Sequence, residues 1–432
     1  MKPTLLQSNH SWTPFQRVVF RFLFAYIFLY CFSFPLYYIP GAHVVIHPIG
    51  SILQDMAVGL GNFISDSGNP ISTEETGSGD TLLYWLLWIT KLLLALLITI
   101  LWSTLDRSRL SYTWLKKLLI TYTRYYLALI LLSYGLFKIV PTQFSEPTVK
   151  MMLQMYGDSS PMGLLWNFMG YSTTYQIFGG LAEVLGAVLL LFRRTTLLGA
   201  LVLVGVMTNV VMMNYCFDVP VKLASTHYLL FAIGLAAVYG RPLVQLFLRN
   251  KSTEPMDQSP LFELKRWIWT AAGVKFVLVG FVFYSVLSAA LSQQQATKSM
   301  EQSAVMAGVH DVERYTHQTE SDSLTDNYRQ YWHRMMIDYL HSDVLVVEKV
   351  NGEKLKYQIS VDTLGRQMTG HLLSDSTKKI RLEYEPTQKD LLLWKGDWNK
   401  DSIWFTTKRF ETDSMLLKSR TFRWVSPFPF NR

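Results

Sequence analysis

Eight polar side chains interrupt stretches of this chain that are otherwise apolar: Tyr134, Lys138, Glu183, Asn209, Asn214, Asp218, Lys222 and His227. A phenol, an ammonium, a carboxylate and an imidazole so placed can pair with one another, relay protons or hydrogen-bond a buried ligand. Such groups are costly inside a bilayer, so each is a functional candidate. At about 1.5 Å per helical residue, Tyr134 and Asn209 lie roughly 9 Å below the outer ends of their runs, His227 about 8 Å and Glu183 about 15 Å. Lys138, Asn214, Asp218 and Lys222 fall at the outer rim. The polar residues of several runs therefore collect in the outer half of the bilayer, whereas snorkelling residues would be found at both ends.

Each residue also has a plainer reading. Lys138 is near enough to the rim to snorkel. Glu183 is too deep for that and sits between Gly179, Gly180 and Gly186, so it is either paired, with Lys91 at matching depth, or protonated. A structural pair is as reasonable as a functional one. Asn209 shares a face with Gly205, which fits an interhelical hydrogen bond. His227 reads as a proton carrier, a quinone hydrogen-bond donor or a satisfied core histidine. Asp218 and Lys222 either cap the sixth run as an ion pair or form the lip of a pocket. Two cysteines, Cys31 and Cys216, exclude a disulfide-rich scaffold and a cysteine-based zinc site. Both fall near the outer side, where a disulfide stays open as an alternative. No metal site is expected.

The elements that must position these groups follow from composition. The chain has 432 residues and is 50% hydrophobic and 17% charged, against about 25% charged in soluble proteins. The deficit is confined to 1–291; residues 292–432 resemble an ordinary soluble domain. Seven apolar runs, 18–39, 81–102, 118–140, 173–191, 196–215, 221–239 and 267–291, can each span a hydrocarbon core of about 30 Å. The first is too long for a cleaved signal peptide. Residues 44–64, with Pro48, Gly50, Gly59 and Gly61, are weakly apolar and read as an amphipathic or re-entrant piece on the outer surface. A Gly/Ser/Thr-rich loop follows over 65–80, and a short surface helix is expected over 146–156. Lys and Arg concentrate at the N-terminus and in 103–117, 192–195 and 240–266, whereas 40–80 has none. That alternation predicts a multi-pass bacterial inner-membrane protein with a cytoplasmic N-terminus and an extracytoplasmic C-terminal domain. It also accounts for the net charge of +8 without nucleic acid as a partner.

Beyond the last run, 293–306 reads as a polar helical stalk and 327–339 as a second helix. Alternation then predicts strands at 344–350, 355–361, 367–372, 380–384, 391–394, 403–410 and 421–425. They form a small antiparallel sheet or open barrel with Trp394, Trp398, Trp404 and Trp424 in its core.

Three segments carry a family resemblance: 124–138 (RYYLALILLSYGLFK), the stretch GGLAEVLG at 179–186, and RRTTLLGA at 193–200. Together they resemble the DoxX family of small four-helix membrane proteins, over about 118–240. The resemblance implies an inner-membrane protein related to the small subunit of thiosulfate:quinone oxidoreductase, and more distantly to membrane folds that handle quinones or lipids. The family's recognisable Arg, Gly, Lys and Glu correspond to Arg124, Gly135, Lys138 and Glu183. This chain adds two helices before the core (1–117), a loop and seventh helix after it (241–291), and the β-rich domain (292–432). The expected architecture is an α-helical integral membrane protein with a DoxX-like core and a C-terminal β-rich soluble domain. Its expected role is to bind a quinone or lipid in the outer half of the bundle, in a redox-linked setting. The alternative is a non-enzymatic membrane platform or assembly factor whose β domain docks an envelope partner. No haem, iron–sulfur or nucleotide motif is visible.

Overall fold

Thr13 opens the first helix. Its hydroxyl accepts from the Gln16 amide while the Gln16 side chain accepts from the Thr13 amide, a capping box, and Pro14 follows at the first helical position. In the computed structural model, which describes residues 12–64, 71–253, 259–304, 306–318, 331–388, 390–399, 401–412, 415–420 and 424, this helix is α1 (Pro14–Tyr30). It stops well short of the expected run to residue 39. Ser33 adopts φ 83° and Pro35 has no amide hydrogen, so the chain turns and continues as a 3-10 turn, Leu36–Tyr38.

The chain then forms α2 (His43–Ile64), α3 (Leu82–Leu105), α4 (Thr113–Ile139), α5 (Val149–Met152), α6 (Pro161–Tyr171), α7 (Thr173–Leu190), α8 (Thr196–Cys216), α9 (Lys222–Ala237), α10 (Gly240–Leu243) and α11 (Lys265–Ser303). Among the described residues, α2, α3, α7, α8 and α11 are long and apolar enough to cross a membrane. The α9 helix counts as a sixth when joined to its bent continuation through Leu248. Two of the seven expected spans fall outside that set: α1 has only 17 residues, and α4 carries Lys116, Lys117, Arg124 and Lys138. Conversely, α2 is one continuous 22-residue helix with Pro48 inside it, and is more apolar than the sequence reading allowed. Its buried stripe, Leu53, Ala57 and Gly61, repeats every four residues. At Gly61 an added Cβ would lie 2.7 Å from Leu86 of α3. The apolar run 267–291 and the polar stalk are one 39-residue helix, α11.

The chain divides into two units, Met1–Ser145 with Ser160–Leu291, and Glu146–Ser159 with Ser292–Arg432. In the second, eight strands form a closed antiparallel barrel in sequential order: β1 (Gly308–Gln318), β2 (Trp332–Asp338), β3 (His341–Lys349), β4 (Lys354–Asp362), β5 (Gln367–Leu372), β6 (Asp375–Gln388), β7 (Leu391–Trp398) and β8 (Asp401–Arg409). Pairing of β1 with β8 closes it and leaves no edge strand. The strands β3 to β8 match the sequence expectation. The expected helix over 327–339 does not form: 332–338 is β2, and 327–330 lie outside the described residues. Most of the strand expected at 421–425 lies outside them as well. Eight strands enclose a space that side chains can just fill. Trp332, Met335, Tyr357, Met368, Trp394 and Phe405 are all buried in its core. Trp398 joins them, but Trp404 and Trp424 are exposed, against expectation.

The excursion after α4 belongs to this second unit. Val149 and Leu153, on and just after α5, pack against Val309, Met336 and Val346, and Thr148 donates to Asp338 at 3.1 Å. On β1, buried His310 bonds through Nε2 to the Met306 carbonyl at 3.3 Å. Burial holds its pKa below the ordinary value, and the nearby Arg409 acts in the same direction. The sign follows: the folded barrel prefers neutral His310, so protonation favours the unfolded chain. Stability is therefore fully present above the unfolded-state pKa of about 6.5 and falls as pH drops below it. Denaturant unfolding of the full chain, followed by tryptophan fluorescence, is expected to lose stability between pH 7 and 5, and His310→Phe should flatten that profile.

Candidate functional site

Short contacts sort the helix termini of the first unit into two ends. At one, the buried guanidinium of Arg21 donates to Tyr112 Oη at 2.9 Å, Ser103 Oγ at 2.9 Å and the Asp106 carbonyl at 2.6 Å. Arg17 donates to the carbonyl of Arg109 at 3.0 Å. At the other end, the Asp80 carboxylate accepts from the backbone amides of Lys222 at 2.7 Å and Leu223 at 3.0 Å. These are the first amides of α9, where the helix dipole favours an anion. Lys222 also pairs with Asp218 at 2.7 Å.

Between these ends, α4 and α7 approach closely at Gly135 and Gly180. A Cβ at Gly180 would fall 2.6 Å from the Gly135 carbonyl, so only hydrogen fits there. That approach brings the buried Lys138 ammonium onto the buried Glu183 carboxylate as an ion pair. Glu183 Oε2 has no hydrogen-bond partner among the described residues. The sequence-based depth matching of Glu183 with Lys91 is thereby corrected. Lys91 instead lies over the Tyr30 ring, 5.7 Å from its centroid.

A second polar group is built around His227 of α9. Its Nδ1 lies 2.6 Å from the Leu223 carbonyl and its Nε2 2.5 Å from Tyr26 Oη, and the ring stacks on Tyr30 with centroids 4.0 Å apart. A carbonyl has no hydrogen to give, so Nδ1 of the neutral ring carries the proton and Nε2 accepts. Tyr26 must then donate to His227 while accepting from Trp88 Nε1 at 2.9 Å. The hydrogen bonds therefore run one way, from Trp88 to Tyr26 to His227 to Leu223. Every proton in the chain is in use, and Tyr26 keeps one free lone pair.

This chain of bonds closes one end of an apolar cavity of about 910 Å³ between α1, α4 and α9, lined among others by Phe20, Leu23, Tyr26, Ile120, Phe231 and Gly234. A second cavity of about 970 Å³ adjoins it and carries Lys116, Lys117, Arg124, Arg193 and Arg241. The two share Lys116, Ile120 and Val238.

No protein-family model matches the chain, and no solved structure matches it. The uncharacterized protein YwoB of Bacillus subtilis (strain 168) is 36% identical to it over 134 residues, which are 31% of this chain and 82% of YwoB. The chain belongs to the YwoB family.

In this YwoB relative the eight sequence-predicted residues fall into several groups among the described residues. Lys138 and Glu183 pair, and Asp218 and Lys222 pair elsewhere. Tyr134 is partly exposed with its ring 6.2 Å from that of Tyr228. Asn214 is buried, and its Nδ2 has no hydrogen-bond partner among the described residues. Asn209 and Gly205 face outward, and the interhelical bond expected for Asn209 is not made among the described residues. Of the eight, His227 alone lines the apolar cavity. That cavity extends toward the basic end, where Trp12 and Lys116 line it, rather than lying in the half opposite. Cys31 and Cys216 are both free thiols. Sequence reasoning missed Tyr26, Trp88, Arg21 and Gln176. Tyr26 sits in an aromatic run where no single ring stands out, and its partner lies 201 residues away. Gln176, 1% exposed, exchanges hydrogen bonds with the backbone of Phe144, an arrangement without a sequence signature.

Proposed function

We propose that this protein is a multi-pass inner-membrane protein that binds the apolar part of an amphiphile, of the lipid or quinone class, inside its helical bundle. The observation that carries the reading is the apolar cavity between α1, α4 and α9, ended by the Trp88–Tyr26–His227 chain. Membrane insertion is supported by the apolar side chains on the outside of the helices, such as Leu93, Leu97, Ile100, Phe178, Phe276 and Val277. The gathering of basic residues at one end of the bundle supports a cytoplasmic placement of that end. Tyr26 offers a ligand a lone pair rather than a proton. Among quinone-class ligands, the hydroxyl of a hydroquinone fits it better than the carbonyl of a quinone. A redox-linked role draws its support from the resemblance to DoxX proteins.

Gly234 supplies the test. It lines the cavity, and an added Cβ there would meet nothing within 4 Å. Gly234→Phe is expected to fill the cavity while keeping α9 folded, since glycine is among the poorest helix formers. Mass spectrometry of lipid extracts from the purified protein should show a co-purifying amphiphile in the natural chain and its loss from Gly234→Phe. Equal recovery from both would sink the reading.

The barrel favours a second role beside the first. Its interior is occupied by its own side chains, which leaves its outer surface, with Leu364 and Trp404 exposed, to dock an envelope partner. Loss of a co-purifying partner on Leu364→Glu with Trp404→Glu would support it.

A further inference from the structure

We infer that the basic cavity holds the phosphate headgroup of an anionic lipid whose acyl chain lies in the adjoining apolar cavity. The inference rests on the reading of that apolar cavity as an amphiphile site and names the ligand's class. Five cationic side chains line the basic cavity, and no carboxylate does so among the described residues. Among the described residues, Lys116, Arg124, Arg193 and Arg241 have no acidic partner. Like charges gathered without a counter-ion repel, and an anion in their midst relieves that repulsion.

Basic residues at the end of a membrane helix ordinarily snorkel into the headgroup region, and most of these five could be explained so. Arg124 is set apart from them by its burial: it lies six residues inside the run expected to span, about 9 Å, and is only 4% exposed. One of its amino groups donates to Thr196 Oγ1 at 3.2 Å, while its Nε is buried without a hydrogen-bond partner among the described residues. An unfilled guanidinium donor on a cavity wall, with other cations around it, is the arrangement that recognises a phosphate oxygen.

The apolar cavity determines what else the ligand must have. Lys116, Ile120 and Val238 line both cavities, so a head in one and a tail in the other would be neighbours in a single ligand. From Val238 to His227 the cavity follows α9 for about 16 Å. That shape suits a charged head joined to a hydrocarbon tail and gives no reason to hold free phosphate.

Purified full-length protein is incubated with equimolar phosphatidylglycerol and phosphatidylcholine bearing identical acyl chains, and retained lipid is counted by native mass spectrometry. Phosphatidylglycerol should be retained preferentially. Arg193→Gln and Arg241→Gln, at exposed positions that do not endanger folding, should each lower that preference by about fivefold. Arg124→Gln should lower it further. Gly234→Phe should reduce retention of both lipids alike. Equal retention by the natural chain, or an unchanged preference in the arginine variants, overturns the headgroup assignment. Displacement of the lipid by inorganic phosphate at equal concentration overturns it too, since it would mean that the tail contributes nothing. Failure of Gly234→Phe to lower retention overturns the reading of the apolar cavity itself, so the two failures are separable.

Discussion

Glu183→Ala is expected to destabilise the helical bundle by about 3–5 kcal/mol, because it leaves the Lys138 ammonium buried without its partner. Lys138→Met should do comparable harm through the stranded carboxylate. The informative variant is the double one. With Lys138→Met and Glu183→Leu together, neither charge remains to be desolvated, and buried pairs replaced by packed apolar residues are often neutral or better. Thermal unfolding of the four proteins in detergent closes the cycle. Full recovery in the double variant would identify the pair as a structural clasp between α4 and α7. If stability recovers but amphiphile retention does not, the charges serve the ligand as well. The backbone beneath the pair is equally constrained, since Gly180 allows α4 and α7 to approach and no Cβ can be accommodated there.

The largest effect in the second unit is expected at Trp394. Its ring stacks on Phe405 with centroids 5.9 Å apart, lies 5.3 Å from Tyr384, and donates from Nε1 to Thr407 at 2.9 Å. Trp394→Ala empties the middle of a filled barrel and should cost about 3–5 kcal/mol. Trp394→Phe keeps much of the volume but strands the fully buried Thr407 hydroxyl, for a smaller loss of about 1–3 kcal/mol. Adding Thr407→Val to Trp394→Phe should return part of that loss. Denaturant midpoints for the set would check the order; a Phe variant as damaging as the Ala variant would mean that the hydrogen bond outweighs the ring stacking.

Alternation and turn residues made β3 to β8 readable. Between β3 and β4, for instance, the Asn351–Gly352 turn has Gly352 at φ 85°. The first two strands were obscured by their chemistry. β1 begins GVHDVERY, with charges dispersed along it, and β2 reads WHRMMID, where four successive residues from Met335 to Asp338 are buried, so no alternation shows. In the bundle, the types of the important residues were legible and their partners were not. Depth measured from each helix end placed Lys138 at the rim and Glu183 far below it. Those depths ignored how far α4 and α7 are offset and how far a lysine side chain reaches down its own helix. The same method matched Lys91 with Glu183, whereas each has a different neighbour. His227 stands out in the sequence by its type, but its hydrogen bond to Tyr26 joins α1 to α9, and no local pattern announces a contact at that separation. Both cavities are likewise spaces between helices, and their walls come from positions that look ordinary one run at a time.

The barrel unit also has a history in time. Its α5 segment is translated long before the strands it packs against: Val149 precedes Val309 by about 160 residues, and translation at roughly 5–20 residues per second puts some ten to thirty seconds between them. Throughout that interval Val149 and Leu153 wait uncovered while α6 to α11 are still being made. Their cover, Val309, Met336 and Val346, arrives with β1 to β3, whereas closure of β1 on β8 must wait for residue 409. An arrest of synthesis anywhere between 160 and 308 would therefore leave a hydrophobic segment without its cover, a form that quality control can distinguish from the finished chain.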